Sequence, residues 1–184
     1  QSNAVVSSTN IYYIKDKTTG FDNGYDSSIF GGATHDFIVF TELVSHNEGK
    51  KLAIQTLPDS NFETMTIPVG IIAQGGQEIT FSINQVNFPE SIKTYLEDRL
   101  LGKFINLSEG SYTMTLENAS SEIGRFYVHT SSERLSIDAI SDTLNTVSIY
   151  KSSNTELTVT GLQAKATVTL YTVLGKEVLS HKID

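Results

Sequence analysis

Period-two alternation of apolar and polar residues runs through short segments along this chain, and it confines the fold to strands with one buried and one wet face. Thr64 to Ile71 places Met65, Ile67, Val69 and Ile71 on one side. Gln77 to Ile83 does the same with Ile79, Phe81 and Ile83, and Gly75-Gly76 between the two segments predicts a hairpin turn. Ser111 to Glu117 sets Tyr112, Met114 and Leu116 against Thr113 and Thr115. Phe37 to Phe40 is continuously apolar, the pattern of a central strand covered on both faces. Further strands are expected at Ile11–Lys15, Lys51–Leu57, Lys103–Leu107 and Ile123–Thr130. Pro89 to Leu101 has helical propensity, but Ile92, Thr94 and Leu96 alternate, which favours a strand over Ser91–Asp98.

Small polar turns separate these segments, so the expected class is all-β: a jelly-roll-like β-sandwich over residues 5–133. Residues 1–4, Gln1-Ser2-Asn3-Ala4, resemble the scar of a removed expression tag and are set aside. After the polar breaks Ser131-Ser132-Glu133 and Ser141-Asp142-Thr143, a second unit is expected over residues 134–184. It contains four strands, Thr146–Lys151, Glu156–Thr160, Lys165–Tyr171 and Lys176–Ile183, with turns short enough for a meander. Four strands bury too little surface for an independent core, so this unit is expected to be incomplete or to dock on its neighbour.

Composition removes several functions. The formal net charge is −8, with only 13 Lys and Arg and no basic cluster, which argues against nucleic acid as a partner. The absence of cysteine excludes disulfides, thiolate metal sites and a cysteine nucleophile together. No apolar run reaches the ~20 residues of a membrane-spanning helix.

No catalytic residue is assigned. His35, His46, His129 and His181 lack metal-site spacing, and a surface or hydrogen-bonded core imidazole is the expectation for each. The serines form no nucleophile elbow, and neither Gly31-Gly32 nor Gly75-Gly76 is a phosphate loop. Glu97 and Asp98 are neighbours in an expected strand, so their carboxylates should point to opposite faces rather than share a site. The stretch Phe21-Asp22-Asn23-Gly24-Tyr25-Asp26 carries oxygen ligands around a glycine. It reads either as a plain Asn-Gly turn or as a Ca²⁺ loop using Asp22, Asn23 and Asp26, with no Glu at the EF-hand distance. Tyr12, Tyr13, Phe21 and Tyr25 form either an aromatic platform for a sugar ring, with Tyr12 and Tyr25 as candidate contacts, or ordinary buried packing.

The last fifty residues add an ordered pattern. Val147-Ser148-Ile149-Tyr150 is followed by Glu156-Leu157-Thr158-Val159, then Gly161-Leu162, Val168-Thr169-Leu170-Tyr171 and Leu174-Gly175-Lys176-Glu177-Val178. This order resembles the C-terminal sorting domain of type IX secretion cargo in the Bacteroidetes, most specifically through Leu170 to Lys176. Two departures stand out: Lys151-Ser152-Ser153-Asn154 replaces the usual Pro-Asn-Pro, and the Gly-x-Tyr strand and basic, apolar end of such domains are missing, so the resemblance is to a truncated signal. Upstream, Gly24-Tyr25-Asp26, Leu52-Ala53-Ile54-Gln55, Ile67-Pro68-Val69-Gly70, Tyr95-Leu96-Glu97-Asp98 and Gly124-Arg125-Phe126 resemble the domain that precedes such tails in large flavobacterial surface proteins. Asp142-Thr143-Leu144 resembles the short O-glycosylation acceptor of these bacteria.

The resemblance implies a non-catalytic region of a secreted or cell-surface bacterial protein, reached through the periplasm and outer membrane, that acts as a spacer and export signal. Its implied partners are an outer-membrane translocon and a sortase-like processing enzyme. The second unit would be a small, incomplete immunoglobulin-like β-sandwich in which Leu157, Gly161, Leu162, Tyr171, Leu174, Gly175 and Lys176 define the sorting motif, with Gly161 and Gly175 forming turns and Leu162 in the core. The competing reading is a carbohydrate-binding sandwich with a structural Ca²⁺ near Asp22 and Asp26 and a surface glycan as partner. Hydrolysis is the remotest reading, because no nucleophile and base are visible together.

Overall fold

A computed structural model describes residues 5–29, 37–133, 135, 148–151, 157–160 and 165–183. Ten strands make up the larger part: β1 (Asn10–Ile14), β2 (Ser27–Ser28), β3 (Ile38–Thr41), β4 (Leu52–Pro58), β5 (Ile67–Ile72), β6 (Glu78–Phe81), β7 (Lys93–Asp98), β8 (Lys103–Asn106), β9 (Tyr112–Thr115) and β10 (Phe126–Ser131). A single 3-10 turn at Phe62–Thr64 is the one helical element among the described residues. The all-β class holds. The segment with helical propensity resolves into a turn, closed by the Ile92 N–H donating to the Pro89 carbonyl, followed by strand β7.

Eight strands form one sheet in the order β1-β4-β3-β5-β10-β7-β8, with β2 pairing to β4. All neighbours are antiparallel except β1 and β4, which run parallel. The ribbon β6-β9 packs over one face of this sheet, giving a sandwich-like arrangement of a broad layer and a narrow one. Ile79 and Leu116 from the ribbon side meet Val69, Ile71, Leu96 and Phe126 from the sheet, all nearly free of solvent contact. The alternation seen in the sequence is therefore the inner face of each layer. A second cluster, Leu57, Met65 and Ile67 with Tyr13, Phe62 and Val128 against it, continues the core toward the other end.

The expected hairpin through Gly75-Gly76 does not form. Strand β5 already has β3 on one edge and β10 on the other, so β6 has no edge to join and pairs with β9 instead. The two glycines lift the chain from the broad layer to the ribbon. Gly76 takes φ +79°, its N–H donates to the Leu116 carbonyl at 2.7 Å, and a Cβ on Gly75 would meet the Glu117 carbonyl at 3.0 Å. Gly70, in the middle of β5, has another role. The fully buried Phe40 ring lies over it, and an added Cβ would sit 2.1 Å from that ring's tip.

The C-terminal part contributes β11 (Ser148–Lys151), β12 (Leu157–Thr160), β13 (Ala166–Tyr171) and β14 (Glu177–Ile183). They pair two by two, β11 with β12 and β13 with β14, each antiparallel. Among the described residues no ladder joins β12 to β13, so the expected meander is two separate hairpins.

Candidate functional site

Strand geometry decides the fate of the adjacent carboxylates. Glu97 and Asp98 sit next to each other in β7 and point to opposite faces, so each builds its own network. On the face away from the ribbon, His129 of β10 lies one strand over, with Nε2 at 2.8 Å from Glu97 Oε2. Arg99 Nε donates to Glu97 Oε1 at 2.9 Å, and the Arg99 guanidinium lies 3.7 Å from the centre of the Tyr127 ring. The Phe104 ring tilts against His129 with centroids 5.5 Å apart. Burial alone would push the Glu97 carboxyl up. The hydrogen bonds from His129 and Arg99, with their charges, outweigh it and hold the carboxyl below the usual glutamate range.

On the opposite face Asp98 is fully buried and accepts a bidentate pair from Arg125, Nε to Oδ1 at 2.9 Å and Nη2 to Oδ2 at 2.8 Å. The Tyr112 hydroxyl donates to the same carboxylate at 3.3 Å. Burial, and then the Asp98 charge, push the Tyr112 phenol up. Arg125 immediately precedes β10 and Tyr112 opens β9, so this one carboxylate ties the ribbon to the sheet. Every group here is held by a partner, and none is placed as a nucleophile beside a base. Glu97 and His129 were individually visible in the sequence as strand residues. Their meeting was not, because it depends on the register of β7 against β10, in which Tyr95 faces His129.

At another end of the sandwich, the loop with Asp22, Asn23 and Asp26 is a hydrogen-bonded turn. The Tyr25 N–H donates to the Asp22 carbonyl at 3.1 Å, and Gly24 takes φ +81°, the value a type II turn asks of its third residue. Asp26 is nearly buried. Its Oδ2 accepts the Asp22 N–H at 2.7 Å, and its Oδ1 accepts both the N–H and the hydroxyl of Thr56, at 2.6 and 2.8 Å. Asp22 Oδ2 accepts the Thr18 N–H at 2.8 Å. Asp26 thus staples the loop to β4. Among the described residues no group of three or more His, Asp or Glu is arranged to hold a metal ion.

The four aromatic residues near this loop are dispersed, and no two of their rings pack together among the described residues. Tyr13 turns inward, where it meets Phe62 at 5.5 Å and Phe88 at 5.9 Å, and burial pushes its phenol up against a hydrogen bond with Thr130. Tyr25, half exposed, lies under the Lys17 ammonium at 3.4 Å, and Phe21 under that of Lys50 at 3.9 Å. Tyr12 is half exposed on β1. Of the remaining histidines, His46 and His181 are exposed, and His35 lies outside the described residues, as do Gly31 and Gly32.

The C-terminal motif is only partly described. Gly161, Leu162 and the Asp142-Thr143-Leu144 stretch lie outside the described residues. Leu157 opens β12, Tyr171 closes β13, and Leu174, Gly175 and Lys176 form the turn into β14. Three hydrogen bonds close that turn: Gly175 N–H to the Thr172 carbonyl at 2.9 Å, Thr172 N–H to the Lys176 carbonyl at 2.8 Å, and Lys176 N–H to the Thr172 hydroxyl at 3.1 Å. Gly175 takes φ +80°. The side chains of Val173 and Leu174 stand at its tip in full contact with solvent.

No helix among the described residues is long and apolar enough to cross a membrane. No curated protein and no solved structure matches the chain. One family model, described as Domain of unknown function (DUF8693), matches residues 1–129, a stretch that takes in β1 to β9 and runs into β10. With well over half of its length matched in this way, the chain belongs to the DUF8693 family.

Proposed function

We propose that this chain is a non-catalytic region of a secreted or cell-surface bacterial protein, in which the sandwich acts as a folded spacer and the C-terminal hairpins present a surface read by the type IX export machinery. The observation that carries the reading is the β13–β14 turn. Two adjacent apolar side chains, Val173 and Leu174, are held outward there by a closed, hydrogen-bonded turn. A rigid, exposed apolar tip loses little conformational entropy when a partner takes it up. The turn coincides with the most specific part of the sequence resemblance, Leu170 to Lys176. The well-partnered carboxylates of the sandwich support a structural rather than a chemical role for that part.

Secretion of the full-length protein by the bacterium that produces it tests the reading. Gly175→Val forces a β-branched residue to φ +80° and should open the turn. Val173→Ser with Leu174→Ser keeps the turn and removes only its apolar surface. Both variants are expected to lower the secreted fraction severalfold and leave the protein in the cell. Undiminished secretion of the double serine variant would overturn the role given to the tip.

A further inference from the structure

We infer that the sheet binds one internal water on its core face, where β3 meets β4, through the side chains of Thr41 and Gln55. The site is separate from the C-terminal turn and independent of any export role.

Strand register puts both side chains on that face. Thr41 of β3 stands opposite Val69 of β5, so it shares a side with a residue of the main core. On β4, Gln55 stands two residues before Leu57, which belongs to the second core cluster. Thr41 also faces Leu52 of β4, and residues three apart on a regular strand would point to opposite faces. The strand is not regular there. Ser28 faces Leu52 while Ser27 faces Ile54, so β4 carries one extra residue, Ala53, and this bulge returns Gln55 to the side of Thr41. The ladder between β3 and β4 consists of the single pair Thr41 and Leu52. Past it, the Gln55 amide nitrogen donates to the Glu42 carbonyl at 3.1 Å, which sets the amide beside the residue that follows Thr41.

This junction is buried yet polar: Thr41 and Gln55 have 0% exposure, Thr56 has 2% and Glu42 has 3%. Several of its groups are matched within the protein. Thr56 donates twice to Asp26, and Asn47 donates to the Glu42 carboxylate. The Thr41 hydroxyl and the Gln55 amide oxygen, both closed to bulk solvent, have no protein partner among the described residues. Turning the Gln55 amide over gives no remedy, because its oxygen would then meet the Glu42 carbonyl oxygen. Buried polar atoms left unpaired are rare in native folds, and each lowers the folding equilibrium constant by about tenfold. One water resolves both. It donates a proton to the Gln55 oxygen, and it can donate its second proton to the Thr41 hydroxyl or accept from it. Two uncharged ligands suit a water better than a metal cation, which calls for carboxylates and a larger oxygen shell.

The test joins water–protein NOE and ROE spectra of the whole chain to two substitutions. A long-lived water should give a cross-peak to the Gln55 side-chain amide protons, with the ROE sign that distinguishes it from proton exchange. Thr41→Ser keeps the hydroxyl and should keep that cross-peak. Thr41→Val keeps the shape of the side chain and removes the hydroxyl. It should abolish the cross-peak and lower the folding equilibrium constant about tenfold in urea denaturation. Were the hydroxyl unpartnered, the same substitution would relieve it and raise that constant. Two outcomes would overturn the inference: no water cross-peak at Gln55 in the parent chain, or a Thr41→Val chain as stable as the parent or more so.

Discussion

The sandwich and the C-terminal hairpins use the same alternating pattern and reach opposite results. In β5, Ile67, Val69 and Ile71 are nearly inaccessible because β3, β10 and the ribbon surround them. In β14, every residue but Ile183 is exposed, including Val178 at 65% and Leu179 at 54%. Pairing brings Leu170 beside Leu179 and Ala166 beside Ile183, so the hairpin has an apolar side. Two strands alone have nothing to lay over that side. Alternation thus specifies which side of a strand is apolar, while burial needs a second layer, and an isolated hairpin is marginal in water.

Mutation of one leucine in each region should expose this contrast most strongly. Leu96→Ala, at 1% exposure in the main core, is expected to cost about 2–5 kcal/mol of unfolding free energy. Leu179→Ala should cost less than about 0.5 kcal/mol. Urea denaturation of both variants measures the difference; equal costs would mean that the hairpin is covered in solution and the comparison fails.

The contact between the layers comes next. Asp98→Ala removes the carboxylate that links Arg125 and Tyr112 and leaves the guanidinium without its partner. The expected loss is about 3 kcal/mol, the low end for breaking a buried pair, because the Arg125 side chain keeps 20% of its exposure. A loss below about 1 kcal/mol would show that apolar packing alone holds the ribbon to the sheet.

Within the sandwich, the smallest effect is a pH dependence. The Glu97 carboxyl lies below its usual range in the folded chain, so the folded state favours the ionised form. Its contribution is present above the ordinary glutamate range and is lost as pH falls through the lowered folded value, because the unfolded chain takes up the proton first. Glu97→Gln should cost about 1 kcal/mol at neutral pH and nearly nothing once the carboxyl is protonated. Stability curves of the two proteins that stay parallel through the acid range would remove the charge from the account.

How much of this was legible beforehand differs from residue to residue. The central position of Phe37 to Phe40 followed from its unbroken apolar run, and β3 does lie between β4 and β5. The separation of Glu97 from Asp98 followed from strand parity alone. The Gly75-Gly76 turn was visible, but its use was misread, because a glycine pair shows that the chain turns and not which strand it turns toward. The meeting of Glu97 with His129 left no local signal. The two residues stand 32 positions apart, and nothing in that separation distinguishes them from ordinary strand residues.

What the amino-acid order determined by itself was therefore local: strands rather than helices, which face of each is apolar, where turns fall, and the absence of thiol chemistry and of a basic surface. Tertiary structure alone decided which edges pair, which layer covers which, and which charges meet. The reason is physical. Side-chain periodicity and turn propensity act over a few residues, whereas strand order is chosen by competition for a limited number of edges and for one shared core.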